Sequence, residues 1–266
     1  MDKALISLSF DDGRVDNYKA FKEITIPRKI PVTLNIITGY IDGDLPTEEW
    51  PSGKKPLKKE EVIELSKNPL FEIALHGNTH QNTEQDVRDG RDKLAEWIGS
   101  PEDGKWGFAS PFSRMPVQEF ISPSAPAFFK EDILYMRTGG KKIKDRTVRF
   151  RNLCMKANKV LHIPGLYRIA YPNVIMDACK DRVIYSFALF HRTRYSEVKG
   201  LINATVKYKG ALTLMLHSIE AESAIDDDWS WDTEKFRQLC DYLAKLRDEG
   251  KIEILTTRNL YNRIKA

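Results

Sequence analysis

Short apolar runs rich in β-branched residues alternate with helical runs along most of the chain, and this alternation constrains the fold more than any other feature. The pattern predicts helices at 58–67, 84–98 and 233–249, and strands at 5–10, 32–37, 71–75, 106–109, 160–163, 183–190, 211–216 and 252–255. Strands that are joined by helices pair in parallel within one sheet, which predicts the α/β class. A closed barrel and an open doubly wound sheet both satisfy this alternation.

The length of 266 residues suits one large domain. Within it we predict an irregular, basic insertion at 110–160, because nine Lys or Arg and a single acid, Asp145, lie between Arg137 and Lys159. This basic run is either a solvated loop or a patch that receives an anionic substrate, such as a phosphate-linked sugar. The net charge of +4 is too small to indicate a nucleic-acid partner.

The sequence shows neither the pattern of a transmembrane segment nor that of a secretory signal. No run approaches the roughly 18 apolar residues that are needed to span a bilayer. Residues 1–10 lead directly into an acidic pair and lack the pattern of a secretory signal. We therefore expect a cytoplasmic protein with no transmembrane segment.

Polar residues follow two early strands of the predicted fold. Asp11 and Asp12 end the first strand, where Gly13 favours a turn. His76 and His80 follow the third strand, and two histidines four residues apart on one helical turn can bind one metal with a carboxylate. An acidic turn that caps a helix, together with structural histidines, would explain the same letters.

A third polar residue, His217, ends the predicted strand at 211–216. An imidazole there is either a buried structural group or an acid that protonates a departing amine, because its ordinary pKa lies near neutrality. Parallel α/β folds carry their sites at the C-terminal ends of the strands. Three polar groups at three strand ends therefore favour one site.

Four motifs resemble those of the polysaccharide deacetylases, the NodB-homology group of carbohydrate esterases similar to family 4. They occur in the family order and extend over most of the chain: Ser9-Phe10-Asp11-Asp12-Gly13, His76-Gly77-Asn78-Thr79-His80, Phe108-Ala109-Ser110-Pro111-Phe112-Ser113, and Leu212 to His217. The resemblance implies a distorted (β/α)7 barrel and a divalent metal, usually Zn²⁺.

The resemblance also implies a role for each site residue. Asp12, His76 and His80 would bind the metal, Asp11 would be the general base, and His217 would protonate the departing amine. A backbone N–H near Phe112 would help to stabilise the oxyanion.

The sequence departs from the family pattern at several positions. Gly77 stands where the family often has Ser or Thr, and the family arginine of the third motif is missing, with Arg114 only close in sequence. The segment 226–231 has the letters of another family motif in the wrong order, so it is either an exposed acidic turn or part of the mouth of the site. Tyr167 and Arg168 are candidate substrate contacts, and His162 and His191 are interpreted as structural.

The resemblance implies a metal-dependent hydrolase that removes an N-acetyl group from an amino sugar or glycan precursor. Without an export signal, the predicted substrate is a nucleotide-linked or lipid-linked precursor or an intracellular amino sugar. Related enzymes hydrolyse the C–N bond of non-sugar amides, which is the alternative function. A carbohydrate-binding protein without activity is disfavoured by the complete set of metal-binding and proton-transfer residues.

Overall fold

The computed structural model describes residues 1–46, 54–140 and 147–266, and within them seven parallel strands close into a barrel. Consecutive strands pair in chain order. The last barrel strand, β7 (Ala211–Leu216), pairs with the first, β1 (Ala4–Phe10), from Leu5–Ala211 to Phe10–Leu216, which closes the sheet. The alternation of strands and helices therefore forms a barrel and not an open sheet. The barrel strands are β1 (Ala4–Phe10), β2 (Val32–Ile36), β3 (Phe71–Leu75), β4 (Trp106–Ala109), β5 (Ile133–Gly139), β6 (Val183–Ala188) and β7 (Ala211–Leu216).

Three short strands, eleven α-helices, a π-helical segment (Phe21–Thr25) and two 3-10 helices (Pro111–Ser113 and Glu222–Ala224) complete the described part of the chain. The strand β10 (Ile252–Ile254) pairs with β1 outside the barrel, and β8 (Ser218–Glu220) pairs with β9 (Ser230–Asp232). The helices are α1 (Val15–Ala20), α2 (Thr38–Ile41), α3 (Lys59–Ser66), α4 (Glu84–Ile98), α5 (Val117–Ile121), α6 (Ala127–Glu131), α7 (Val148–Leu161), α8 (Pro164–Ala170), α9 (Tyr195–Tyr208), α10 (Thr233–Asp248) and α11 (Thr257–Ile264).

The predicted elements outside 110–170 are found at nearly their predicted bounds, whereas that region is different. The predicted strand at 160–163 is wrong, because Val160 and Leu161 end α7 and His162 follows in the left-handed conformation, with φ 50°. A short apolar run fits a strand and a helix equally well, which explains the error. The prediction of an irregular insertion at 110–160 is also wrong, because α5, α6, β5 and most of α7 lie there.

The core lies between the barrel and its helices. The side chain of Phe10, on the outer face of β1, packs edge-on against Phe21 and Phe236 at centroid distances of 5.0 and 5.7 Å. The predicted apolar face of α10 is buried, and full burial of one such side chain contributes about 1.5–3 kcal/mol. Asp232 caps this helix by accepting a hydrogen bond from the Lys235 N–H at 2.9 Å.

Helix α11 contacts the polar groups at the N-terminal end of the barrel. The backbone N–H of Thr257 donates to Thr33 Oγ1 at 2.7 Å, and that of Arg258 donates to the buried carboxylate of Glu72 at 2.8 Å. Tyr135 also donates to Glu72, at 2.8 Å. These groups hydrogen-bond with one another and occupy the N-terminal end of the barrel. The polar residues at the C-terminal strand ends form the candidate site.

Candidate metal centre

Asp11 lies at the C-terminal end of β1, in register with the closing strand, because its N–H donates to the Leu216 carbonyl at 2.9 Å. Its Oδ1 accepts hydrogen bonds from the Arg137 guanidinium and from Asn35 Nδ2, the latter at 2.9 Å. The other oxygen, Oδ2, lies 3.9 Å from His76 Nε2. One carboxylate oxygen is therefore held by donors, and the second faces the site.

The pKa of Asp11 reflects opposing effects. Burial raises it, but Arg137, His76 and His217 more than compensate, so that the pKa lies below its ordinary value of 3.8. The carboxylate is therefore ionised at neutral pH although it is almost completely buried.

Asp12 adopts a positive φ of 75°, which turns the chain and directs its carboxylate to the same space as that of Asp11. Arg14 Nε donates to Asp12 Oδ2 at 3.0 Å, and the same guanidinium donates to Ser218 Oγ at 2.8 Å. Asp12 Oδ1 is buried and has no hydrogen-bond partner among the described residues. Burial raises the pKa of Asp12, but His76, His217 and Arg14 lower it well below the ordinary range.

The two histidines of the second motif converge on the free oxygen of Asp12. His76 Nδ1 lies 2.8 Å from the Ala109 carbonyl, an acceptor that favours a proton on Nδ1 and leaves the lone pair on Nε2. His76 Nε2 lies 3.5 Å and His80 Nε2 3.8 Å from Asp12 Oδ1, and the two nitrogens are 3.2 Å apart. Ligands held about 2.1 Å from a tetrahedral zinc are separated by about 3.4 Å. The three buried groups therefore fit one metal ion.

The path of the chain between these histidines differs from the predicted helical turn. His76 follows β3 directly, and a loop with positive φ at Gly77 (82°) and His80 (64°) returns the second imidazole to the first. Asp86, at the start of α4, holds this loop by accepting hydrogen bonds from the N–H groups of Thr79 and Gln81 at 2.7 and 2.8 Å. A Cβ at Gly77 would clash with the Asp86 carboxylate, which explains the departure from Ser or Thr at this position.

The protonation of the histidines differs with their surroundings. Burial and the neighbouring His76 lower the pKa of His80 to about 3, so that His80 is neutral at neutral pH. Burial lowers the pKa of His76 as well, but the carboxylates of Asp11 and Asp12 raise it above the ordinary value. A bound cation would compete with the proton that these carboxylates favour.

His217 directly follows β7, and its imidazole lies near the Asp11 carboxylate. Its Nε2 lies 3.9 Å from Asp11 Oδ2, and its ring packs against Trp229 at a centroid distance of 4.5 Å. The His217 carbonyl accepts a hydrogen bond from Asn17 Nδ2 at 2.6 Å, which fixes the backbone. Burial lowers the pKa of His217, whereas Asp12 and Asp11 oppose that effect.

The arginine that contacts Asp11 among the described residues is Arg137, which lies outside the third motif. It lies on β5, its side chain is 1% exposed, and it forms an ion pair with Asp11. Its assignment to a basic loop from the sequence is wrong, because the parallel register Ala109–Arg137 brings it to the site. Arg114 instead stacks over the ring of Phe112 at 4.8 Å. Three lysines of the basic run, Lys141, Lys142 and Lys144, lie outside the described residues.

Three exposed aromatic side chains surround the entrance to the site. Phe112, with φ 54°, packs against His80 at 4.3 Å, and Trp229 contacts both His217 and Phe190. The segment 226–231 therefore contributes to the mouth of the site through Trp229. Asp227 accepts hydrogen bonds from the N–H groups of Trp229 and Ser230 at 2.8 and 2.7 Å, which fixes this segment.

The other predicted positions lie in separate surroundings. Arg168 pairs with Asp177 and stacks over Tyr208, and its candidate role in substrate binding stays a prediction. Tyr167 is buried, with its hydroxyl 3.0 Å from His162 Nδ1. His191 pairs with Glu222 at 3.1 Å. Sequence reasoning missed Asn35, Arg14 and Asp86, which hold the site residues.

Comparison with protein families gives a match to the polysaccharide deacetylase model over residues 1–109. These residues include both aspartates and both histidines of the candidate metal centre. The resemblance to the polysaccharide deacetylases is confirmed. A comparison with curated protein sequences found no match.

Solved structures share the fold of this deacetylase-like chain. A proposed polysaccharide deacetylase from Mycobacterium smegmatis is 11% identical, with a TM-score of 0.55 over 99% of this chain and 91% of that protein. A family 4 acetyl xylan esterase from Clostridium thermocellum, solved with a cobalt ion, is 12% identical, with a TM-score of 0.51 over 97% and 91% of the two chains. At these identities the likeness shows the distorted (β/α)7 barrel.

A polysaccharide deacetylase from Bacillus cereus is 20% identical, with a TM-score of 0.38 over 50% of this chain. The matched part spans 39% of that protein's length.

Among the described residues no helix is both long and apolar enough to pass through a bilayer.

Proposed function

We propose that this chain is a metal-dependent hydrolase that removes an N-acetyl group from an amino sugar or glycan precursor. The observation that supports it most is the arrangement of Asp11 and Asp12. Each has one oxygen held by an arginine and a second oxygen facing a shared space lined by imidazoles. A structural ion-pair cluster would have no need to leave the buried Asp12 Oδ1 without a partner.

Asp12, His76 and His80 bind the divalent metal, for which Zn²⁺ is the expected identity. Two neutral imidazoles and one carboxylate are a ligand set typical of catalytic zinc. When bound, the metal polarises the amide carbonyl and makes water a stronger nucleophile.

Asp11 and His217 move the protons. Asp11 accepts the proton of the attacking water on Oδ2, the oxygen that no arginine holds. His217 delivers a proton to the nitrogen as the C–N bond breaks, so that acetate and a free amine leave. Because Asp11 Oδ2 and His217 Nε2 are 3.9 Å apart, the proton that the base receives is already close to the acid. The backbone N–H of Phe112 is our candidate for stabilising the oxyanion.

We propose that the remainder of the substrate lies in a groove that begins next to His80 in the chain. This cavity of about 760 Å³ does not contain the three predicted ligands, and its lining mixes apolar side chains, such as Met115 and Phe129, with polar ones. Its wall begins at Gln81, directly after His80. Amide, carboxylate and hydroxyl groups line it, including Asn82, Gln118, Glu119, Ser122 and Ser124. Such groups suit the hydroxyls of a sugar, and supply the reason to favour a glycan over a non-sugar amide.

The test is release of acetate from N-acetylated sugars by the purified chain. Free N-acetyl amino sugars, their oligomers, a nucleotide-linked N-acetyl sugar and a non-sugar amide are incubated with metal-free protein before and after addition of zinc. We expect acetate from a sugar only with metal, and no turnover by Asp11→Asn although it still binds zinc. Hydrolysis of the non-sugar amide alone would favour the alternative function, and full activity of Asp11→Asn would contradict the mechanism.

A separate experiment tests whether the sugar substrate is linked to a carrier that bears a phosphate. We propose that a nucleotide-linked or lipid-linked precursor uses the basic run for its phosphate. Replacing Lys141, Lys142 and Lys144 by Gln should raise KM for phosphate-bearing sugars and leave neutral sugars unaffected. An unchanged KM for both kinds of substrate would exclude this role.

A further inference from the structure

Helix α7 leaves a stripe of apolar side chains uncovered. We define the α7 stripe as Phe150, Leu153, Val160 and Leu161, whose side chains are 57%, 63%, 76% and 58% exposed. At about 100° per residue, these four positions fall within an arc of about 100° on the helix. Cys154 and Asn158, at one side of this arc, are buried and hold the helix on the protein.

The stripe is a concentration of exposed apolar groups and not scattered chance exposure. Among the described residues, six of the eleven exposed large apolar side chains lie within 150–169, and Ile163 and Ile169 extend the stripe towards α8. Three of the other five, Phe112, Phe190 and Trp229, lie at the mouth of the catalytic site. Isolated exposed apolar residues are ordinary, but a group of them marks an interaction surface.

The segment of the chain that carries the α7 stripe contains cationic side chains and no acidic ones. Residues 147–176 contain five Lys or Arg and no Asp or Glu. Arg149 and Lys156 are exposed and fall on the helical wheel beside Val160, along one edge of the stripe. Apolar residues bordered by cations are typical of helices that lie in the interface of an anionic membrane.

We propose that the α7 stripe docks on the surface of an anionic lipid bilayer. The 14 residues of α7 are too few to cross a bilayer, so the helix lies along its surface. A second copy of the chain is a poorer occupant, because a two-fold contact would bring the cations of one stripe against those of the other. The proposal concerns a surface outside the metal centre and does not depend on the catalytic function.

The experiment measures sedimentation of the full chain with vesicles. One set of vesicles is phosphatidylcholine alone, and the other is an equal mixture of phosphatidylcholine and phosphatidylglycerol. We expect binding to the mixed vesicles that weakens with added salt, and little binding to the neutral ones.

Two variants separate the apolar and the charged contributions. Leu153→Gln with Val160→Gln should weaken binding about tenfold or more, because two inserting side chains are lost, while Gln keeps the helix. Arg149→Gln with Lys156→Gln should also weaken binding to mixed vesicles about tenfold or more and reduce its salt dependence. Val15→Gln and Lys245→Gln, an exposed apolar and an exposed cationic position on α1 and α10, are the controls and should bind as the unmodified chain does.

The proposal is overturned if the chain stays in the supernatant with both kinds of vesicle, or if the Leu153 and Val160 double variant binds undiminished. Analytical ultracentrifugation tests the second copy. A dimer that the same double variant abolishes, without vesicle binding, would assign the stripe to self-association and also overturn the proposal. Circular dichroism of each variant checks that α7 is still folded.

Discussion

Replacing Arg137 by Met removes the only arginine that contacts Asp11 among the described residues, and its cost follows from the surroundings of that carboxylate. Asp11 is 3% exposed, and without the guanidinium its Oδ1 keeps one hydrogen bond, from Asn35. Removing one partner of a buried ion pair costs about 3–5 kcal/mol. Because Asn35 remains, we expect a value near the lower limit, about 3 kcal/mol, which is a fall in Tm of about 6–12 °C.

Activity should fall as well, since Arg137 is the largest influence that opposes the effect of burial on the pKa of Asp11. Without it this pKa rises and the base holds a proton for more of the time. A general base contributes about 10²–10⁴-fold to the rate, so kcat for acetate release should drop at least about 100-fold. Arg137→Lys should recover only part of both losses, because an ammonium lacks the planar fork of the guanidinium.

The assay is urea denaturation of the metal-free variants, followed by acetate release in the presence of metal. Arg114→Met is the matched control, because Arg114 is exposed and stacks on Phe112 without contacting Asp11. Its stability should stay within about 0.5 kcal/mol of the unmodified chain. If Arg137→Met were as stable and as active as Arg114→Met, the ion pair would have no part in holding the base.

Three further outcomes follow from the site. Zinc at about 100 times its Kd should stabilise the chain against urea by about 2.7 kcal/mol, and Asp12→Asn should lose most of this gain. His217→Asn should lower kcat about 10²–10⁴-fold with unchanged zinc affinity by calorimetry; weakened affinity would instead make His217 a ligand. Asp16 is half-buried and accepts hydrogen bonds from the Ile219 N–H at 2.7 Å and from Ser218 Oγ at 3.1 Å. Burial raises its pKa from 3.8 to about 6, so its contribution to stability is complete below about 3.8 and is lost as the pH rises through about 6. In Asp16→Asn the urea midpoint should lack this fall with pH, and an unaltered fall would assign it to another group.

The parts of the site that could be predicted from the sequence are those set by a single strand end. Asp11, Asp12, His76, His80 and His217 each follow an apolar run, and a closed parallel barrel must bring such positions to one edge. The same rule could have found Arg137, because the apolar residues 133–136 precede it and form β5. The cluster of cations that follows in the sequence concealed this strand end.

The return of His80 to His76 could not be predicted from spacing. It depends on positive φ at Gly77 and His80 and on the carboxylate of Asp86, contributed from a helix start further along the chain. Helix α7 was missed for another reason. Its apolar residues face away from the barrel, so the usual relation between an apolar run and a buried element does not apply there.

Adjacent carboxylates at one strand end repel each other, and the barrel resolves this by giving each a different arginine. Arg137 reaches Asp11 from β5, whereas Arg14 reaches Asp12 from the turn that follows β1. Each arginine occupies one oxygen and leaves the second directed at a different pair of imidazoles, His76 and His217 for Asp11, and His76 and His80 for Asp12. In the function that we propose, the two identical side chains thereby become a proton acceptor and a metal ligand. Amide substitution should consequently act differently at the two positions, because Asp12→Asn weakens metal binding whereas Asp11→Asn removes turnover from a protein that still binds metal.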